Sequence, residues 1–206
     1  MSEAETKAHW EDIYRRLPAD AVSWYKPHLK TSLEMIERVG RRDASIIDVG
    51  GGESTLVDDL LARGYEHVTV LDISETALAE SKKRLGEISG RAQWMAADVT
   101  TADFERAAYD VWHDRAVFHF LTAPEKRAAY VRNVARAVKP GGHVIVGTFG
   151  PEGPTKCSGL DVVRYDAEQL HGEFGLHFRP VESREELHAT PAGKLQQFLY
   201  CLCRVE

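Results

Sequence analysis

The chain has 206 residues and a formal net charge of −6. That length predicts one domain with a single core. The acidic balance, without any basic run, argues against a nucleic-acid partner bound through a general phosphate footprint. No apolar segment approaches the roughly eighteen residues that cross a bilayer, so we expect a cytoplasmic protein with no membrane partner. Three cysteines are too few for a disulfide scaffold, no metal site is predicted, and the oligomeric state stays open.

Hydrophobic periodicity predicts alternating helices and strands. A helix is expected over 5–16, and a second one carries Leu29, Leu33, Ile36 and Val39 on one face. Further helices are predicted over 56–63, 75–85, 124–138 and 166–171, and strands over 45–49, 68–71, 93–97, 110–113 and 143–149. This alternation predicts a parallel sheet with helices on both faces. Two extended stretches, 176–187 and 195–205, are predicted to form an antiparallel C-terminal hairpin through the turn at 190–193.

A glycine-rich turn follows the first predicted strand. Asp48 is followed by Gly50 and Gly52, which permit a sharp turn and close approach to a ligand. Ser54 is placed to cap the next helix, and Asp72 closes the second strand where a carboxylate can accept hydrogen bonds from ribose hydroxyls. A dinucleotide site fits less well, because the third glycine of that fingerprint would fall at Thr55.

With Asp98 closing a third apolar run, these residues resemble the class I S-adenosylmethionine-dependent methyltransferases. The resemblance implies a doubly wound, Rossmann-like α/β fold whose seven-stranded sheet ends in an antiparallel hairpin. It implies S-adenosylmethionine as cofactor, with the glycine turn on the methionine part, Asp72 on the ribose and Asp98 on the adenine. We divide the chain into an N-terminal helical or lid segment, 1–42, and a methyltransferase domain, 43–206, within a single domain overall. The complete set of expected cofactor contacts is Trp10, Tyr14, Asp48, Gly50, Gly52, Ser54, Asp72, Ile73, Asp98, Val99 and Asp114.

The end of the fourth predicted strand is rich in polar chemistry. A histidine there can remove a proton from a nucleophile, so we assign His119 and Arg115 as candidate catalytic residues. The alternative is that Asp114 pairs with Arg115 and that His119 is a hydrogen-bonded core residue. His113 is expected to be structural, and Asp114 to reach the amino-acid end of the cofactor.

Aromatic side chains concentrate in the N-terminal segment. Their faces attract a sulfonium cation, although Trp10 and Tyr14, one helical turn apart, can equally dock their helix onto the domain. Trp24 and Tyr25, in a loop bounded by Pro27, are typical of a lid. The loop after the fifth strand contains Cys157. The expected substrate contacts are Trp24, Tyr25, His28, Phe118, Cys157 and Arg164.

The acceptor follows less directly, because in-line methyl transfer depends mainly on alignment in a dry pocket. The aromatic start resembles thiopurine- and tellurite-type small-molecule methyltransferases, and the glycine turn equally resembles small protein-lysine methyltransferases of elongation factor. The lysine enzymes' signature after strand four is replaced here by the run from Arg115 to Phe120. We therefore expect a small substrate, a thiol or similar soft nucleophile, with protein lysine as the alternative. A non-catalytic, cofactor-binding regulator is the further alternative.

Overall fold

A computed structural model describes residues 1–206 and is built around one seven-stranded sheet. The strands are β1 (Ser45–Val49), β2 (His67–Asp72), β3 (Ala92–Ala96), β4 (Tyr109–Arg115), β5 (Val138–Phe149), β8 (Phe178–Ala189) and β9 (Leu195–Val205). A separate small hairpin consists of β6 (Lys156–Cys157) and β7 (Leu160–Asp161). The helices are α1 (Glu3–Arg16), α2 (Lys30–Val39), α3 (Leu56–Ala62), α4 (Glu75–Leu85), α5 (Pro124–Ala137) and α6 (Ala167–Phe174).

The order of the sheet is β3-β2-β1-β4-β5-β9-β8. Strands β1 to β5 run parallel, and β9 lies antiparallel between β5 and β8. This topology confirms the predicted fold class, including the antiparallel C-terminal hairpin. From β1 to β3 the chain adds strands towards one edge of the sheet, and from β4 onwards it adds them towards the other. The switch point therefore lies between β1 and β4, where open α/β sheets place their ligands.

The sheet separates two hydrophobic clusters, one on each face. Neighbouring residues of β1 point to opposite sides, so Ile46 belongs to the cluster that includes residues of α2 and α3, and Ile47 to the cluster that includes residues of α5 and α6. Cys201 and Cys203 share the second face as buried apolar side chains. Because Leu33 and Ile36 of α2 are part of the first cluster, this helix packs directly on the sheet.

Side-chain caps fix the starts of several helices. Ser2 and Glu5 form a capping box on α1, and Ser74 accepts a hydrogen bond from the Ala77 N–H at the start of α4. At α3 the N-cap is Thr55, which makes no side-chain cap, but the hydroxyl of the predicted capping residue Ser54 accepts from the Leu56 N–H at 3.1 Å. Glu11 of α1 accepts from the Glu75 N–H at 2.7 Å, so the N-terminal helix is attached to the first turn of α4.

The largest differences from the sequence prediction lie in three places. Strand β5 begins at Val138 instead of residue 143, and its pairing with β4 is irregular between Tyr109 and Val111. The β6–β7 hairpin was not predicted, because strands of two residues carry no readable periodicity. Helix α6 extends to Phe174, beyond the predicted end at residue 171. None of the helices combines the length and the apolar composition that crossing a bilayer demands.

A buried chain of hydrogen bonds connects two side chains of β4 through Tyr130 of α5, and it leads to a stability prediction. The Trp112 Nε1–H donates to the Tyr130 hydroxyl at 2.9 Å, and that hydroxyl donates to Asp114 Oδ2 at 2.7 Å. Tyr130→Phe leaves a buried donor without a partner and removes a donor from the carboxylate, so we expect it to lower the free energy of unfolding by about 1–3 kcal/mol in urea denaturation.

Tyr165→Phe is the matched control, because the Tyr165 hydroxyl is buried without any hydrogen-bond partner. Its removal should leave the free energy of unfolding within about 0.5 kcal/mol of the original value, or raise it. Equal losses in the two variants would contradict a specific role for the Tyr130 hydroxyl.

Candidate active site

The carboxyl ends of the parallel strands open into a cavity of about 440 Å³, here called the main cavity. Its walls come from the ends of β1, β2 and β4, from the segments that follow them, and from α1. A volume of this size lies in the usual range for small-molecule and cofactor sites. A second, smaller cavity of about 40 Å³, here called the inner cavity, lies against the glycine turn after β1.

The glycine turn has the backbone that only glycine adopts easily. Gly50 and Gly52 have φ angles of +68° and +41°. A Cβ atom on Gly50 would lie 2.0 Å from Val117 Cγ2, and one on Gly52 would lie 2.8 Å from the Tyr14 hydroxyl and 2.9 Å from Asp72 Oδ2. The turn therefore has the left-handed backbone that the sequence predicts, and neighbouring side chains pack too closely on it for a Cβ atom.

Two carboxylates stand at the strand ends that face the main cavity. Asp72 Oδ1 accepts from the Ser74 N–H at 2.8 Å, and burial raises the pKa of Asp72 to about 7. Asp98 Oδ1 accepts from both the N–H and the hydroxyl of Thr100, at 2.8 and 2.7 Å. The backbone thus holds each side chain by one oxygen in a fixed orientation.

The inner cavity contains carboxylate oxygens that lack partners. His113 Nδ1 donates to Asp48 Oδ1 at 2.7 Å, and His113 Nε2 hydrogen-bonds the Ser32 hydroxyl at 2.9 Å. Asp48 Oδ2 and Glu53 Oε2 are buried without a hydrogen-bond partner. Unpartnered buried acceptors are costly unless a ligand donor satisfies them. The inner cavity therefore fits a cationic or hydrogen-bond-donating group.

Aromatic rings enclose the outer side of the main cavity. Trp10 lies 5.0 Å from Phe120, 5.9 Å from Trp24 and 6.2 Å from Tyr14, measured between ring centroids. All four residues line the main cavity. Aromatic faces attract cations and exclude water, so this cluster suits a cationic sulfonium.

The loop over residues 19–29, here called the lid segment, is attached to the C-terminal hairpin. His188 Nε2 donates to the Ser23 carbonyl at 2.7 Å, and Lys26 pairs with Glu186 at 2.5 Å. The Trp24 carbonyl accepts from Arg115 Nη1 at 2.9 Å. The lid segment is therefore held over the cavities by contacts with β4 and β8.

Most of the sequence-predicted site residues meet at the two cavities. The main cavity is lined by Trp10, Tyr14, Trp24, Gly50, Asp72, Ile73, Asp98, Val99, Arg115 and Cys157. The inner cavity adds Tyr25, Asp48 and Ser54. Gly52 lies beside them, next to Tyr14 and Asp72.

The structure places His119 away from both cavities. It is fully buried, and its Nδ1 accepts a hydrogen bond from the Phe149 N–H at 3.2 Å. Burial lowers the pKa of His119 to about 3. The interpretation of His119 as a general base therefore lacks geometric support, and the alternative, a hydrogen-bonded core histidine, describes its position.

Four further predicted contacts also lie elsewhere. Asp114 is fully buried and accepts from Val117 N–H, Phe118 N–H and Tyr130, so its oxygens are engaged within the protein. Phe118 is fully buried in the second hydrophobic cluster. His28 is largely exposed and donates to Asp59 at 3.0 Å. Arg164 donates to the Pro151 carbonyl at 2.7 Å and lines neither cavity.

Sequence reasoning missed several residues that line the cavities. Phe120, Lys126 and Asp161 line the main cavity, and Lys26 and Glu53 line the inner one. Phe120 and Glu53 lie within the runs singled out from the sequence. Lys126 and Asp161 carry no sequence signal, because their placement depends on how α5 and the β6–β7 hairpin fold over the sheet.

This sheet and the cavity at its switch point define the class I methyltransferase fold. The chain matches the family model described as a methyltransferase domain over residues 46–142. The matched part, a little under half of the chain, is a methyltransferase domain, and the fold around it is that of S-adenosylmethionine-dependent methyltransferases, which supports S-adenosylmethionine as the cofactor.

Comparison with known proteins gives relatives with different acceptors. A zebrafish (Danio rerio) eEF1A lysine and N-terminal methyltransferase is 26% identical over 166 residues, 79% of this chain and 24% of the relative. The chain thus spans about a quarter of that relative's length.

Two solved structures share the fold at low identity. A Burkholderia thailandensis 1,6-didemethyltoxoflavin-N1-methyltransferase, with bound 1,6-didemethyltoxoflavin and S-adenosylhomocysteine, gives a TM-score of 0.72 at 20% identity, and the match covers 100% of this chain and 91% of that one. A structure concerned with conversion of a disulfide bond into a thioacetal group during echinomycin biosynthesis gives 0.76 at 18% identity, covering 98% and 92%.

The raised pKa of Asp72 predicts how cofactor affinity depends on pH. Ribose hydroxyls donate hydrogen bonds and therefore favour the ionised carboxylate, so affinity for S-adenosylhomocysteine should rise between about pH 6 and 8 as Asp72 loses its proton. Asp72→Asn keeps the acceptor for Ser74 but loses the charge. It should weaken binding by about 1.5–3 kcal/mol in calorimetry and remove that pH dependence.

Asp58→Asn is the control, because Asp58 pairs with Arg84 and lines neither cavity. It should bind S-adenosylhomocysteine with unchanged affinity. If Asp72→Asn also bound it normally at pH 8, the assignment of Asp72 to the ribose would be wrong.

The burial of His119 predicts a stability effect. His119→Gln weakens the bond to the Phe149 N–H and should lower the free energy of unfolding by roughly 1–3 kcal/mol, with little change in turnover of labelled cofactor. His177→Gln, at an exposed position, should change neither quantity. Lower turnover of His119→Gln at unchanged stability and cofactor affinity would restore its catalytic role.

Proposed function

We propose that this methyltransferase transfers the methyl group of S-adenosylmethionine to a small, soft nucleophile, most directly a thiol. In this proposal Asp72 binds the ribose, Asp98 binds the adenine, and the glycine turn with Asp48 holds the amino-acid end of the cofactor. Ile73 and Val99 border the nucleoside. The acceptor enters the part of the main cavity between the lid segment and the β6–β7 hairpin.

The observation that carries the acceptor class is the absence of an imidazole from the main cavity. None of the nine histidines lines it, and His119 is buried behind Phe149. An ammonium acceptor must lose a proton before it can attack, whereas a thiol ionises readily near neutral pH and its thiolate reacts without a base. A site without an imidazole base is therefore better suited to a thiolate.

The enclosure of the main cavity supports a small acceptor. Trp24 lies at the outer wall, and its carbonyl is held by Arg115. A lid segment fixed by hydrogen bonds and an ion pair leaves limited room for a folded partner. The aromatic cluster of Trp10, Tyr14, Trp24 and Phe120 excludes water from the reacting centre, which favours displacement at a cationic sulfur.

The reaction needs alignment more than acid–base chemistry. The cofactor supplies an electrophilic methyl group on a positively charged sulfur. Bound next to an acceptor thiolate, it would allow in-line displacement, in which the methyl group would pass to the thiolate sulfur and S-adenosylhomocysteine would be released. The protein's contribution is to hold the two sulfur atoms in line in a dry cavity.

Cys157 lies in the wall of the main cavity, so its own reactivity matters. Its Sγ lies 3.9 Å from the Ser23 hydroxyl, and burial raises the pKa of the thiol. A protonated thiol is a poor nucleophile, so Cys157 does not compete with the acceptor. It supplies a soft, apolar surface next to the substrate.

Protein lysine is the second candidate, and the sequence similarity to the eEF1A lysine and N-terminal methyltransferase favours it. Exposed carboxylates at the rim of the main cavity, Glu125 and Asp161, offer a place for an approaching ammonium. This function requires the lid segment to open far enough for a protein side chain to enter.

One assay separates the two candidates. Purified protein with methyl-labelled cofactor is incubated with sulfide, methanethiol and aromatic thiols, and in parallel with cell extract divided into small-molecule and protein fractions. We expect methylated thiols, with a rate that rises as the pH approaches the thiolate pKa of each acceptor. Label on protein lysines without thiol turnover would favour the second candidate.

Asp72→Asn is the control for this assay, because it should lose turnover with every acceptor if the label comes from the bound cofactor. Trp24→Ala opens the outer wall of the main cavity and should raise KM for small thiols more than it changes cofactor affinity. Unchanged kinetics in Trp24→Ala would contradict the placement of the acceptor beneath the lid segment.

A further inference from the structure

Arg115, at the end of β4, is held rigidly by three groups from distant parts of the chain. Its Nε donates to the Tyr200 hydroxyl at 2.9 Å, and its Nη1 donates to the Trp24 carbonyl at 2.9 Å. The guanidinium carbon lies 4.3 Å from the centre of the Phe198 ring. These contacts fix the plane of the guanidinium before any ligand binds.

The remaining nitrogen of Arg115 has no partner. Its Nη2 is buried and makes no hydrogen bond. The residue as a whole is more than nine-tenths buried, so water does not satisfy this nitrogen either. No carboxylate of the protein forms a salt bridge with Arg115, and nearby Glu186 pairs with Lys26. A buried cation without a counter-charge is costly, so an anion that binds there gains a strong, charge-assisted interaction.

The position of Arg115 identifies what kind of ligand meets it. Arg115 lines both the main and the inner cavity. The inner cavity also contains the unpartnered Asp48 Oδ2 and Glu53 Oε2, so it offers a donor and two acceptors that the protein leaves unused. This set complements a ligand that carries a carboxylate, alone or beside an ammonium.

We propose that Arg115 binds a carboxylate of the ligand through Nη2, and through Nη1 holds the lid segment over that ligand. The carboxylate has two possible sources, the α-carboxylate of the cofactor or a carboxylate on the acceptor. The first source depends only on cofactor binding. The second rests on the proposed small-molecule function. A bound carboxylate balances the charge of the same guanidinium that fixes the Trp24 carbonyl, so ligand binding and lid position are coupled.

A first calorimetric experiment tests the cofactor as source. Wild-type protein and Arg115→Gln are titrated with S-adenosylhomocysteine and with its decarboxylated analogue, which keeps the amine and the nucleoside. If Arg115 binds the α-carboxylate, the wild type should prefer S-adenosylhomocysteine by roughly tenfold to a hundredfold, and the variant should lose most of that preference. Arg136→Gln is the matched control, because Arg136 pairs with Asp103 and lines neither cavity.

A second titration tests the acceptor as source. Protein saturated with S-adenosylhomocysteine is titrated with benzoate and with benzamide, which has a similar shape without the charge. If the acceptor supplies the carboxylate, the wild type should bind benzoate in preference to benzamide, and Arg115→Gln should lose that preference. Both experiments measure binding, so a failure of thiol turnover leaves their result unaffected.

The wild-type comparisons keep the test valid if Arg115→Gln does not fold. In that case Arg115→Lys replaces it, because the compact ammonium lacks the planar fork that reaches Tyr200, Trp24 and a carboxylate at once, so the preference for the carboxylate should fall. The proposal is overturned if the wild type shows no preference for the carboxylate in either titration. It is equally overturned if the preference is undiminished in the variant.

Discussion

Burial of carboxylates at the carboxyl ends of parallel strands is the constraint on which this active site depends. Asp114 is fully engaged, since two backbone N–H groups and the Tyr130 hydroxyl donate to it. Asp48 is only half engaged, because His113 takes one oxygen and the other has no partner. Asp72 keeps one bond to Ser74, and burial raises its pKa to about 7. Hydrogen bonds from the protein thus offset the desolvation cost of burying Asp114. At Asp48 and Asp72 they do so only in part, and one oxygen of each carboxylate is left for a ligand.

Burial also explains why His113 on β4 and His119 in the following turn do not fit the interpretation of a base at this strand end. His113 lies on the strand, where alternation directs it to the face shared with Asp48 and Ser32, and there it orients the carboxylate. His119 lies beyond the strand in a short 3-10 turn over Phe118–Phe120, so alternation no longer predicts its direction. Its burial depends on Phe149 of β5, thirty residues away in the chain. No local pattern contains that information.

The elements that the sequence predicts well are those formed by residues close together along the chain. The run Ser45–Val49 contains three β-branched apolar residues, and the structure gives that strand the predicted bounds. Asp72 and Asp98 follow from the spacing of successive apolar runs, and both line the main cavity. Strand β5 was predicted too short at its start, because Pro140, Gly141 and Gly142 are typical of a turn, whereas Val138 already pairs with Tyr109 before that irregular stretch and pairing resumes at His143.

The part of the main cavity proposed for the acceptor has no comparable local signal. It is assembled from the lid segment, the residues after β4 and the β6–β7 hairpin, and these are joined by single contacts between distant residues, such as Trp24 with Arg115 and Ser23 with Cys157. Side chains that meet only through tertiary packing vary independently of the sheet that supports them. Enzymes with one cofactor fold can therefore differ in acceptor while the residues around the cofactor stay recognisable. The missing imidazole belongs to this part of the cavity, which is why it says more about the substrate than the glycine turn does.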